Sequence, residues 1–327
     1  MGLHVSGDCP ELDRLVSDAC AAIGREIDAQ SIPWLDGVVL GGGYGRGEGG
    51  VKGGALSNDL DFFAITGEGE DRVESIAEAL KPISERWTAK LGVDVDFAVK
   101  TAWRLKHDEE RIMVQELVRG YFDVAGARGC KLFAHIDLRP AEALPWMEAA
   151  RLLMNRGMGL LFAMDLESAA AAGVAPDGPA GDAGKEVFTA RNINKCILGA
   201  GDARLVARHG YSWRAAERAK ALGDPLYTAA VEWKFRPKSG PVCGWDTARD
   251  VWLEAYEYVS GETFRSADSM ARNLRNAARW LVRRRSIGEI RTFGLNPVVR
   301  VLEAVARLVR TRRAPDGVLL ADWRIFN

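Results

Sequence analysis

The sequence predicts an α+β chain: a small α/β domain over residues 1–140, followed by an all-helical domain over residues 146–327. Three observations carry this. Residues 38–63 contain an apolar strand, a run of glycines and a second strand that opens with two alternating aspartates. Another acidic, apolar strand follows at 93–99, after a segment of helical length. From about residue 146 onward the apolar residues recur at helical spacing, with almost no strand alternation. Pro140 and Pro145 flank a short connector and set the expected boundary.

The elements follow in order. Residues 10–29 place Leu12, Leu15, Val16, Ala19, Cys20 and Ile23 on one helical face, with Pro10 at its start and Pro33 beyond its end. A strand is expected at 37–41, then a glycine-rich loop to about 57, then a strand at 59–65 that Gly67 and Gly69 end. Residues 70–91 read as a helix bent at Pro82, closed by Gly92, and followed by a strand at 93–100. A helix is expected at 108–119 and a short strand at 131–136. Further helices are expected at 146–172, 185–209, 212–222, 246–260, 268–285 and 296–313, with loops at 173–184 and 235–244.

Composition narrows the class. Of 327 residues, 47% are hydrophobic and 27% charged, a balance that suits a globular chain. No apolar run approaches the roughly 18 residues needed to span a bilayer, so no membrane association is expected. The first residues lack a basic start followed by an apolar core, so no secretory signal is expected. Five scattered cysteines without a C-x-x-C pair point to reduced thiols and a cytoplasmic setting. The four histidines have no zinc-ligand spacing and read as isolated or internally satisfied. Charge is uneven: residues 271–313 carry twelve arginines against two glutamates, in a chain whose net charge is −1. Arg272, Arg275, Arg279 and Arg283 form one helical stripe, which reads either as a solvated face or as a contact for nucleic-acid phosphates. With only Trp280 interleaved, nucleic acid is not the favoured partner.

The chemistry concentrates at the acidic strands. Alternate residues of a strand share a face, so Asp59 and Asp61 project together while Leu60 and Phe62 enter a core. Carboxylates that close repel one another unless a cation lies between them. Hard divalent cations take one or two carboxylates and complete their shell with water and substrate phosphates. Gly41, Gly42 and Gly43 allow a main chain to approach a phosphate closely. Together these residues read as a site for a metal and a triphosphate. No G-x-x-x-x-G-K-[ST] is present, and the G-x-G pairs at 45–49 open no evident helix, which excludes a P-loop and a dinucleotide fingerprint. On the third strand Asp94 and Asp96 share a face, and either can serve as a third carboxylate. Arg46 reads equally as a phosphate contact or as the partner of Glu48 in shaping the loop. Tyr44 reads as loop packing, and Asp202 and Arg204 as a surface pair.

The arrangement Leu40, Gly42-Gly43, loop, Asp59-Leu60-Asp61-Phe62, then Val95-Asp96-Phe97 resembles the DNA polymerase β-like nucleotidyltransferase superfamily. The run Gly42-Gly43-Tyr44-Gly45-Arg46-Gly47-Glu48 is similar to the G-S-x-A-R-G-E run of its small bacterial members. The resemblance covers roughly residues 35–100, with a gap between Gly43 and Asp59 a few residues longer than usual. It implies a small mixed-sheet palm and a helical second domain that binds nucleotide and substrate, with the substrate cleft between domains. It implies two Mg²⁺ ions, replaceable by Mn²⁺, held by Asp59, Asp61 and Asp96. Gly42 and Gly43, with Arg46, would take the phosphates of an NTP such as ATP. Lys195, which shares a helix face with Arg191, would hold the triphosphate from the second domain. The implied reaction moves a nucleoside monophosphate from an NTP to a hydroxyl of a small molecule or a protein, releasing pyrophosphate. An RNA or tRNA acceptor using the basic 271–313 face is the alternative within enzymes, and a non-catalytic nucleotide sensor or antitoxin-like partner the alternative outside them.

Overall fold

A computed structural model describes residues 2–174, 182–263 and 297–326, with Ala278 between the last two stretches. The described residues form a mixed α+β structure, largely helical with one small mixed sheet. By its internal contacts the chain divides into two units. One comprises residues 1–140 with Lys234–Pro237, and the other Ala141–Trp233 with Lys238–Asn327. No sequence signal marked residues 234–237 as part of the first unit.

The first unit is built on a four-stranded sheet. Its strands are β1 (Gly37–Leu40), β4 (Leu60–Thr66), β5 (Val95–Thr101) and β6 (Phe122–Gly126), in the order β5-β4-β1-β6. Strand β1 runs antiparallel to β4 and β6, whereas β4 and β5 are parallel. A parallel pair needs a crossover, and the helix Val73–Leu91 provides it. Both faces of the sheet are covered. On one, Val38, Leu40, Leu60, Phe62, Ala64 and Val95 pack against α1 (Pro10–Gln30) and the crossover helix, which supply Ile23, Ile27, Leu80 and Trp87. On the other, Val39, Phe63 and Ile65 meet Leu105, Val114, Leu117 and Leu132 from helices at Ala102–His107, Ile112–Arg119 and Gly129–Leu132. Two-sided burial explains why β4 reads Leu-Asp-Phe-Phe-Ala-Ile rather than as strict alternation.

In chain order the helices are then α2 (Gly42–Gly45), α3 (Val73–Leu91), α4 (Ala102–His107), α5 (Ile112–Arg119) and α6 (Gly129–Leu132). Gly92, in the left-handed region at φ 70°, ends α3, and Pro82 is accommodated inside that helix. Two expectations are corrected here. Residues 131–136 are not a strand; Leu132, Phe133 and Ile136 are the buried side of α6 and the turn after it. The fourth strand is instead β6, whose short sequence FDVAG carries little apolar alternation.

The second unit is helical. Helices α7 (Trp146–Met164), α8 (Leu166–Ala171), α9 (Asp182–Ala207), α10 (Ala215–Leu222), α11 (Pro225–Phe235, ending within the first unit's residues), α12 (Trp245–Thr263), α13 (Pro297–Thr311) and α14 (Gly317–Phe326) follow one another. Helices α11 and α14 lie where no helix was expected. Trp252 of α12 is fully buried, and its indole Nε1 donates to the Leu153 carbonyl at 3.0 Å. Gly157 of α7 is required there, since a Cβ on it would lie 2.6 Å from both Trp252 and Val305. Asp202 does not pair with Arg204. Its carboxylate accepts from Tyr227 Oη at 2.5 Å and lies 2.8 Å from Arg218 Nε, a buried network that joins α9, α10 and α11. Apart from Ala278, the helix expected at 268–285, with Arg272, Arg275, Arg279, Arg283, Arg284 and Arg285, lies outside the described residues, as do Arg291 and residues 175–181 of the expected loop. No helix among the described residues is long and apolar enough to cross a membrane.

Candidate active site

Four aspartates, Asp59, Asp61, Asp94 and Asp96, occupy one end of the parallel β4–β5 pair. Asp61 and Asp96 are direct partners in the register, and the Leu60 N–H donates to the Asp94 carbonyl at 2.8 Å. Neighbouring strands lie about 4.8 Å apart, so the two partner carboxylates leave adjacent backbone positions on the same face. Asp59 immediately precedes β4 on that face, as strand alternation requires. Asp94 lies one residue before β5, beside Asp59 rather than Asp61.

The glycine turn is shaped around Asp61. The Gly41 N–H donates to the Asp61 carbonyl at 2.8 Å, and the single helical turn α2 follows. Gly42 has φ +59°, and a Cβ there would collide with the Asp61 carboxylate, 3.0 Å from its Cγ. Only glycine satisfies both the dihedral and the space. Gly43 is less constrained, with a Cβ lying 3.3 Å from the Glu48 carbonyl oxygen.

The long glycine stretch between Gly43 and Asp59 is an ordered hairpin. Strands β2 (Val51–Lys52) and β3 (Ala55–Leu56) pair antiparallel across Gly53-Gly54, both at positive φ as a tight hairpin turn requires. The Asn58 side chain accepts from the Gly50 N–H at 2.7 Å and closes the stem. Tyr44 is fully buried; its hydroxyl donates to the Gly50 carbonyl at 2.9 Å and accepts from the Ser57 and Asn58 amides at 3.2 and 3.5 Å. Burial pushes the Tyr44 phenol up; the Asn58 and Ser57 amides oppose this and the Asp59 charge adds to it. Tyr44 therefore connects the glycine turn to the start of the acidic strand, a role the sequence does not reveal because the partners of its hydroxyl are main-chain groups. Tyr44→Phe is expected to cost about 1–3 kcal/mol by leaving buried amides unpaired. Urea unfolding reads the loss, and faster amide exchange at Ser57 and Asn58 locates it.

Arg46 lies between two acids, 3.3 Å from Glu116 Oε2 and 3.8 Å from Glu48 Oε2. Glu48, whose side chain is 4% exposed, also lies 3.3 Å from Lys234 Nζ. This chain of charges fastens the loop to α5. Lys195 belongs to the second unit, half-buried on α9 beside the buried Asn194.

The N-terminal residues hold the loop from its other side. The Leu3, His4 and Val5 amides all donate to the Asp13 carboxylate at 2.7–2.9 Å. Val5 bridges Gly49 in parallel fashion, with Gly49 N–H donating to the His4 carbonyl at 3.0 Å. The His4 ring is fully buried between the Tyr44 carbonyl at 3.3 Å and Ser17 Oγ at 3.0 Å. Burial lowers its pKa from 6.5, and the Tyr44 carbonyl and the Asp13 charge oppose that only in part. The unfolded chain therefore protonates His4 first as pH falls, so this contribution to stability is complete above 6.5 and is lost below it. The urea midpoint is expected to fall between pH 7.5 and 5.5, and His4→Gln to flatten that dependence.

The acidic end combines register partners Asp61 and Asp96, Asp59 just before β4, and a glycine whose missing side chain gives the Asp61 carboxylate its space; carboxylates are the donors a hard divalent cation takes, usually one or two at a time. Among the described residues, no group of three or more His, Cys, Asp and Glu side chains is arranged to hold a metal ion. Comparison of the chain with protein-family models, curated proteins and solved structures gives no match.

Proposed function

We propose that this chain is a metal-dependent nucleotidyltransferase of the DNA polymerase β-like type, moving a nucleoside monophosphate from an NTP to a hydroxyl on a small molecule or protein. One observation carries the reading: Asp61 and Asp96 are register partners on parallel strands, with Gly42 packed against the Asp61 carboxylate. Two carboxylates fixed side by side repel one another in the protein alone, and a divalent cation turns that repulsion into binding.

Asp61 and Asp96, with Asp59, would hold Mg²⁺ or Mn²⁺, two ions when substrate is bound. Bound there, the ions lower the pKa of an attacking hydroxyl and steady the charge on departing pyrophosphate. Gly42 and Gly43 present main chain instead of side chains at the acidic end, which lets phosphate oxygens approach closely. Arg46, paired with Glu116 and Glu48, keeps the loop in place. Phosphoryl transfer asks little covalent chemistry of a protein, so positioning of this kind supplies most of the rate.

The test is incubation with each labelled NTP and Mg²⁺, with and without cell extract. Pyrophosphate release that EDTA abolishes, together with label transferred to an acceptor, is the expected outcome. Retention of nucleotide without turnover in Mg²⁺ or Mn²⁺, with every NTP and extract, would sink the proposal.

A further inference from the structure

A second charged cluster lies at the other end of β5. Lys100 is four residues beyond Asp96 on the same strand face, about 13 Å along it. It is half-buried. Around it stand Arg104 of α4, Arg111 just before α5, Asp108 and Glu70. Asp108 Oδ2 is shared by two guanidiniums, 3.0 Å from Arg104 Nε and 3.8 Å from Arg111 Nη1. Glu70 accepts from the Thr101 hydroxyl at 3.2 Å. Three cations thus face two carboxylates, and one carboxylate already serves two of the three.

The consequence falls on Lys100. Burial pushes its ammonium below the usual lysine range, Arg111 and Arg104 push it further, and Asp108 and Glu70 do not make up the difference. A cation kept partly from water beside two others is unfavourable in the protein alone. An oxyanion would reverse that balance. Two guanidiniums that share one aspartate, with an ammonium near them, suit a tetrahedral phosphate.

Next to Arg104 in the chain stands Trp103, 62% exposed. Its indole is stacked on the His107 imidazole at 5.0 Å with an interplanar angle of 12°. One face of the indole is therefore supported and the other is open to water. An aromatic side chain supported in this way is a platform on which a base can stack.

We propose that Lys100, Arg104 and Arg111 form a phosphate site, with Trp103 as the platform for the ring of a nucleoside monophosphate bound there. The site needs no metal, and it does not depend on the reading of the acidic end of the sheet.

Calorimetric titration of the full chain at low salt, in EDTA so that no metal assists anion binding at the aspartates, tests this with AMP and inorganic phosphate as probes. AMP is expected to bind about tenfold or more tighter than phosphate, since stacking adds to the charge contacts. Tryptophan emission should change on AMP addition, and Trp103→Ala should abolish that change. Lys100→Met and Arg111→Gln should each weaken AMP about tenfold or more. Lys100→Met should leave the melting temperature unchanged or higher, because it relieves repulsion; a purely structural lysine would lower it. If Lys100→Met misfolds, Arg111→Gln decides. Unchanged AMP affinity in the folded variants, AMP no tighter than phosphate, or no binding of either probe at millimolar concentration would overturn the proposal.

Discussion

Asp61→Asn is expected to reduce NTP-dependent pyrophosphate release by about 10²–10³-fold or more, the scale of removing one preorganised electrostatic contact to a reacting centre, such as an oxyanion-hole donor. The substitution keeps the side chain's shape and removes only its charge. Asp61 and Asp96 occupy partner positions on β4 and β5, so neutralising one relieves repulsion in the protein without metal. The melting temperature in EDTA should therefore stay level or rise. Added Mg²⁺ should raise the melting temperature of the native chain and have a smaller effect on the variant. Asp96→Asn should behave alike. Loss of activity with stability kept separates a working carboxylate from a structural one. Full activity in Asp61→Asn would remove the enzyme reading.

The second large effect is expected at Gly42. Alanine there takes a left-handed conformation at φ +59° and places a methyl group where the Asp61 carboxylate lies. The backbone penalty alone is about 1–2 kcal/mol. Gly53 provides the comparison, since it has the same φ of +59° with nothing within 4 Å of a Cβ. Gly53→Ala thus reports backbone strain by itself, and the excess in Gly42→Ala reports displacement of Asp61. Gly42→Ala should lose most of its pyrophosphate release, while Gly53→Ala should lose stability and keep its turnover. Equal turnover in the two variants would show that the closeness of Gly42 to Asp61 has no part in the chemistry.

Some of this was legible in the sequence, for identifiable reasons. The alternation of Asp59, Leu60, Asp61 and Phe62 dictates which side chains enter the core, and Leu60 and Phe62 are fully buried. The crossover helix was visible in the spacing of Ile76, Leu80, Ile83 and Trp87, all buried. Strand partners were not legible, because pairing is decided by contacts far apart in the chain. The Asp61–Asp96 register is of that kind, as is the place of β6 next to β1. Residues 131–136 read as a strand because Leu132, Phe133 and Ile136 are closely spaced and apolar, a pattern that a tight helical turn against a sheet shares. Asp202 read as a surface residue because its partners, Arg218 and Tyr227, lie on two later helices. Tyr44 read as packing because an aromatic residue in a glycine run gives no hint that its hydroxyl gathers three main-chain groups.

The hairpin between the glycine turn and the acidic strand makes the two ends of the site independent of what separates them. Its stem closes at Gly50 and Asn58, and at its tip a Cβ added to Gly53 or Gly54 would meet nothing within 4 Å. Residues added at the tip would lengthen a loop already closed below, at roughly 0.6 kcal/mol per doubling of its length. The tip is thus a natural attachment point for a tag or fluorophore. The number of residues between such glycines and such aspartates is free to drift among chains built this way, while the stem and the tyrosine beneath it are not.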